Sequence, residues 1–169
     1  MREYFISEAK YLDLDVVFPY NEMLEEAKNL RHKFTKHRDG DSEGWYGLVL
    51  HGLDENKTGS WDQYGITDHK EAYKIMSWTD ASSSAPVTTD YFINTFPCKQ
   101  YSRVRFMLLE AGGYINFHND SKGPIIDNTS FVLNSPEGFE WRWQDGSPNL
   151  DMMPGHAYAM NIHYYHGLW

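Results

Sequence analysis

From residue 103 onward the chain alternates: Val104, Phe106 and Leu108 exchange places with Arg103, Arg105 and Met107. A period of two puts successive side chains on opposite faces, so this stretch is expected to be a strand rather than a helix. Gly112 and Gly113 then predict a turn. Further strand-like runs follow at 114–118, 129–133, 139–143 and 156–164, with Gly, Pro, Asp and Asn at the breaks. Short strands at such spacing favour a sandwich or barrel over an alternating α/β fold.

The first hundred residues read differently. Met23, Leu24, Ala27, Leu30 and Phe34 make one apolar helical face across 21–38, with Asn21 placed to cap it and Gly40 just past its end. Asp68 with Glu71 resembles a capping box and predicts a second helix through Ala72, Ile75 and Met76. Thr88 or Thr89 predicts a third, ending near Phe96. A strand is expected over 45–53, and the Gly, Asp, Asn and Ser around 52–65 predict a loop. With 169 residues, 41% of them hydrophobic and 16% aromatic, the chain has material for one core. The expectation is a single domain, 1–169, with helices and first strands over 1–100 and a β core over 101–169. The early helices are expected to cover one face of the β-structure.

Charge narrows the partners. Fifteen basic residues against 24 acidic ones leave a net charge of −9, which argues against binding to nucleic acid or to an anionic membrane surface. A small molecule or a neutral to basic peptide is the expected partner. The single cysteine, Cys98, forms no internal disulfide, and no apolar run approaches the roughly 20 residues of a membrane span. Residues 1 to 5, MREYF, carry acidic and polar residues where a secretory signal needs a continuous apolar segment, so a cytoplasmic location is expected.

His118-Asn119-Asp120 carries the chemistry. Residues two apart on an extended strand share a face, so His118 and Asp120 can hold one metal ion, and a distal histidine can close the site. Three candidates exist: His156, His163 and His166. If the last strand stays regular, Tyr158, Met160, Ile162, Tyr164 and His166 form its more apolar face, and His163 points the other way; one bulge would invert this. Two neutral imidazoles and one carboxylate on one side of an ion leave the opposite positions open, the facial arrangement of non-haem Fe(II) oxygenases. His32, His37 and His51, in or beside the first helix and strand, and His69, at a helix start, are read as surface residues.

The run 103–120, RVRFMLLEAGGYINFHND, followed by LNSP at 133–136, MPGHAY at 153–158 and NIHYYHGLW at 161–169, resembles the aspartyl/asparaginyl β-hydroxylase family of 2-oxoglutarate oxygenases. Proline 3-hydroxylase is a relative with a similar pattern. The resemblance implies a double-stranded β-helix, a cupin-like jelly-roll, with N-terminal helices packed on one face. It implies His118, Asp120 and His166 as catalytic iron ligands, with Fe(II), 2-oxoglutarate and O2 as cofactor and co-substrates. The implied activity is hydroxylation of an amino acid or of an Asp or Asn side chain in a peptide.

The arginine that such proteins place after the distal histidine has no counterpart, because the chain stops three residues beyond His166. Two expectations stand here, a reading frame or fragment cut short after Trp169 and a short natural terminus. Asp127 stands where a second arginine is expected. Arg103, Arg105, Lys122 and Arg142 remain as partners for the distal carboxylate; Arg105, on the strand leading into the motif, is the one assigned, against the alternative of an ordinary surface ion pair. Trp141 and Trp143 are read as core packing rather than a stacking platform. Two further readings stand beside the hydroxylase. One is a metal-binding jelly-roll without oxygenase activity, including a truncated inactive homologue. The other is an interaction or sugar-binding sandwich in which His118 and Asp120 only hydrogen-bond each other.

Overall fold

The computed structural model describes residues 9–38, 40, 42–98, 101–120 and 127–169. Among them the chain is mostly β, with two antiparallel sheets and few helices. No helix among the described residues is long and apolar enough to cross a membrane. The chain forms two compact units: Met1–Asn21 with Tyr114–Trp169, and Glu22–Gly113. The helical elements end at Thr95 and only strands follow from Val104 among the described residues, while the boundary between the two units falls inside a strand and the N-terminal segment belongs with the C-terminal unit.

In the first unit, β1 (Tyr11–Leu14), β6 (Asp127–Phe131) and β8 (Ala157–Asn161) form one antiparallel sheet in the order β1-β8-β6. Tyr11 faces Met160, and Asn128 faces the same residue from the other side. All five residues of central β8 are buried. The second set of strands in this unit is the C-terminal part of β5 (Val104–His118), then β9 (His166–Leu168) and β7 (Trp141–Trp143). Tyr158, Met160 and Ile162 pack with Trp141, Trp143, Leu150 and Met152 in one apolar cluster.

The parity of His166 with Tyr158 holds only if the strand expected over 156–164 stays regular as far as His166. Instead it ends at Asn161, because the chain turns: Tyr164 N–H donates to the Asn161 carbonyl at 3.2 Å, and His163 N–H donates to Asn161 Oδ1 at 3.2 Å. An asparagine side chain competes well for backbone groups and favours such turns. His166 therefore opens a new strand, and parity with Tyr158 has no bearing on where it points.

In the second unit, β2 (Thr35–Lys36), β3 (Ser42–Gly52) and β5 lie in that order, with β4 (Ser77–Trp78) paired to β3. Leu48, Val49 and Leu50 are fully buried. A continuous apolar triplet of this kind marks a strand covered on both faces, and each side chain contributes about 1.5–3 kcal/mol.

The expected turn at Gly112-Gly113 is absent. One fifteen-residue strand runs through both glycines, with Gly112 at φ +78°. A Cβ on Gly113 would lie 2.7 Å from the Glu43 carbonyl oxygen, so glycine serves close backbone approach there rather than a hairpin.

Helix α1 (Tyr20–Asn29) is shorter than its periodicity predicts and starts one residue before Asn21, which therefore does not cap it. The chain passes through a 3-10 turn at Arg31–Lys33 and becomes extended at Phe34. Thr35 and Lys36 pair with Gly47 and Tyr46, and Phe34 stacks on Phe106. Sheet pairing overrides the helical spacing of Leu30 and Phe34. Helix α2 (His69–Ile75) begins as expected, with Asp68 accepting the Lys70 N–H at 2.8 Å, and Glu71 pairs with Lys74.

Helix α3 (Pro86–Asp90) starts two residues before Thr88 and runs into a π-helical turn at Tyr91–Thr95. Its N-cap residue, Ala85, has no side chain to offer. Glu26 of α1 takes that role, accepting from Val87 N at 2.6 Å, Thr88 N at 3.0 Å and Thr88 Oγ1 at 2.7 Å. A carboxylate at a helix start is favoured by the helix dipole and by charge-assisted hydrogen bonds. Glu26→Ala is expected to cost about 1.5–3 kcal/mol, seen as a lower midpoint in urea unfolding. An unchanged midpoint would show that the carboxylate does not hold α3.

Candidate metal centre

Strand β9 is three residues long and lies between two others, which determines what surrounds His166. On one side His118 of β5 is its register partner; on the other, Trp143 of β7 faces it directly. The imidazoles of His118 and His166 come within 4.6 Å, centre to centre. Trp141 stacks on His166 at 4.9 Å with the planes 10° apart, and Trp143 meets it edge-on at 6.3 Å. Both indoles are buried, so the ring of His166 is clamped, and His166 itself is 3% exposed.

Strand β5 ends at His118, and Asp120 lies just beyond it. Its backbone N–H donates to the Ile162 carbonyl at 3.0 Å, tying the His-x-Asp segment to the turn that leads into β9. His118 Nε2 then stands 3.8 Å from Asp120 Oδ1. Ligand atoms of His118, Asp120 and His166 all lie within 4.8 Å of one another.

The tautomers follow from the partners. His118 Nδ1 is 2.9 Å from the Asn116 carbonyl, and His166 Nδ1 is 2.9 Å from the Tyr164 carbonyl. A carbonyl oxygen only accepts, so each Nδ1 carries the proton and each neutral ring keeps its lone pair on Nε2. Orienting one ring nitrogen through a backbone carbonyl is how proteins prepare the other for a metal.

Two donors about 2.1 Å from one ion can be no more than about 4.2 Å apart. The His118–Asp120 separation is within that limit. Two imidazoles and a carboxylate make a donor set suited to a divalent first-row ion, and the Asp120 side chain, 44% exposed, leaves the site open toward solvent.

The other candidate ligands are placed elsewhere. His156 pairs with Asp13, Nδ1 to Oδ2 at 2.9 Å, and His163 is exposed on the turn. His37 and His51, read from sequence as surface residues, are packed instead. His37 lies 4.1 Å from Trp45 and bonds Thr58 Oγ1 at 2.8 Å, while His51 sits against Trp78 and Tyr101. Burial there lowers the pKa of His51. His32 is exposed as expected, with Nδ1 3.1 Å from the Asn29 carbonyl, and the side chain of His69 lies outside the described residues.

Among the basic candidates, Arg105 donates to the Thr58 carbonyl at 2.5 Å, and Arg103 donates to the carbonyls of Thr58 and Gly59. These bonds stay inside the second unit. Arg142 alternates with Trp141 and Trp143 along β7 and so projects from the face opposite His166, pairing with Glu140 at 2.5 Å and lying over Trp169. Lys122 and the side chain of Asp127 lie outside the described residues.

Sequence reading missed the clamp on His166 and the two carbonyls that orient the rings. The Trp-x-Trp spacing at 141 and 143 was a visible signal for one face of a strand, but not for what that face would touch. A search of protein-family models finds no match to this chain, and neither does a search of curated proteins.

Proposed function

We propose that this chain is an Fe(II)- and 2-oxoglutarate-dependent hydroxylase of the aspartyl/asparaginyl β-hydroxylase kind, built on a double-stranded β-helix and acting on an amino acid or an Asp or Asn side chain in a peptide. The observation that carries this reading is the convergence of His118, Asp120 and His166, with both imidazoles presenting Nε2. When bound, iron would supply oxidation of an unactivated C–H bond, the overall change being 2-oxoglutarate, O2 and C–H to succinate, CO2 and C–OH.

The residues' own part is placement. Asp120 brings the one negative charge that favours a divalent ion over a proton. Trp141 and Trp143 prevent the His166 ring from turning away and keep water from its buried side. Held on one face by three side chains, the ion would keep its remaining positions for co-substrate and oxygen.

One observation favours a second reading, a metal-binding jelly-roll without oxygenase activity. The guanidinium assigned to the distal carboxylate, that of Arg105, is bonded to the Thr58 carbonyl. Anaerobic titration with Fe(II) and then 2-oxoglutarate separates the two. A visible charge-transfer band on adding the 2-oxo acid, followed by succinate formation in air, is the result expected of the hydroxylase. Iron binding with no band and no succinate would leave the metal site and remove the oxygenase.

A further inference from the structure

Beside His166 lies a second constellation. The ammonium of Lys10 is held by Asp145, with Nζ 2.6 Å from Oδ1 and 2.5 Å from Oδ2, and by Ser147 Oγ at 2.5 Å. The same Nζ sits 5.3 Å from the ring centre of Trp143 and 5.3 Å from that of Tyr164. These two rings meet nearly at right angles, 6.4 Å apart, forming two walls of a corner.

Aromatic faces attract a cation through their quadrupoles, and a carboxylate and a hydroxyl supply the directional bonds. The combination recognises an ammonium, and with Asp145 in it no anion fits. The Lys10 side chain is only 17% exposed, whereas that of Asp145 is 56% exposed, so the cage is open at the carboxylate. Hydrogen bonds from Lys10 and Ser147 hold the Asp145 carboxyl at about 2, so on the acid side the pair persists until pH falls toward that value.

Lys10 enters the cage from outside the walls that form it. Its segment rests on the end of β8, where Asn161 N–H donates to the Lys10 carbonyl at 2.9 Å and Asn161 Nδ2 to the Ala9 carbonyl at 3.3 Å. Trp143 belongs to both sites, its ring 5.3 Å from Nζ and 6.3 Å from the His166 ring.

We propose that Trp143, Tyr164, Asp145 and Ser147 form a binding site for a primary ammonium on an unbranched alkyl chain, and that Lys10 is its resident competitor. Where the chain works as the hydroxylase proposed above, and resting on that reading, this site holds the amino group of the substrate. The substrate class is then an aminoalkyl compound such as a lysine side chain, and Lys10 must leave before it enters. The tethered lysine competes at an effective concentration in the millimolar range, and for a cage that half-fills with free alkylammonium at about a tenth of that concentration its removal strengthens binding roughly tenfold.

The test uses the full chain in EDTA without 2-oxoglutarate, so its outcome is independent of the metal. Lys10→Ala is titrated with n-butylammonium, following the tryptophan indole signals by NMR, with n-butanol and glycinamide as controls. Saturable binding of n-butylammonium, roughly tenfold tighter than to wild type, weakened by Asp145→Asn and by Tyr164→Leu, is expected. Glycinamide binding equally well would assign the site to α-amino groups and overturn the unbranched-chain assignment. A response no stronger than that to n-butanol would overturn the site itself and leave Lys10 as a structural tie. Should Lys10→Ala fail to fold, the Nζ signal of Lys10 in wild type decides: n-butylammonium must displace it, and no displacement overturns the proposal. Ammonium binding in a chain that fails the iron titration would refute only the hydroxylase.

Discussion

Asp120→Ala will fold like the wild type and lose divalent-metal binding by roughly a hundredfold or more, since a ligand contributes at least as much as the outer partners whose loss costs 10–100-fold. The side chain is 44% exposed, and the segment is held by a backbone bond to Ile162 that alanine retains. The comparison that gives the result its force is His163→Ala, three residues from His166 and exposed on a turn, which will bind metal as wild type does. His166→Ala will lose the metal, but it also opens a cavity between two buried indoles, so its unfolding curve must be recorded beside the titration. Metal affinity measured by isothermal titration with Mn(II) or Fe(II) checks all three. Equal affinity in wild type and Asp120→Ala would falsify the site.

The second large effect comes from a residue that donates nothing. A Cβ on Gly167 would lie 2.7 Å from the Ile115 carbonyl oxygen and 2.6 Å from the ring of Trp169. The ring can move; the carbonyl belongs to the strand against which β9 is registered. Gly167→Ala must therefore push β9 away from β5, and with it His166 from His118. Overpacking of this kind costs about 1–3 kcal/mol, so unfolding will shift to lower urea. Metal affinity should fall as well, although all three ligands remain. A variant that loses stability yet keeps its affinity would mean that the His118–His166 spacing does not depend on β9 lying close to β5.

These two substitutions mark the limit of what alternation and motif can show. The β character of the second half was legible because a two-residue period needs no tertiary information. The Asp68 start of α2 was legible for the same local reason. The end of α1 was not, because Phe34, Thr35 and Lys36 continue a helical pattern while the strand at Gly47 and Tyr46 offers them partners. Gly112-Gly113 predicts a turn from sequence because glycine marks both a sharp turn and a close backbone approach, and only the neighbouring strand decides which. His166 emerged from an argument about the regularity of a strand that in fact ends five residues earlier.

What the sequence determined by itself is the chemistry on offer: a histidine and an aspartate two apart, histidines near the C-terminus, and strands to carry them. Those follow from residue identity and short-range periodicity. Only the tertiary structure decided which distal histidine meets His118, what clamps it, and that Lys10 lies in a cage next to it. The physical reason is that these depend on strand register and on contacts between residues as far apart as Lys10 and Asp145. Such contacts form by excluding competing pairings across the whole unit rather than by any preference written in neighbouring residues.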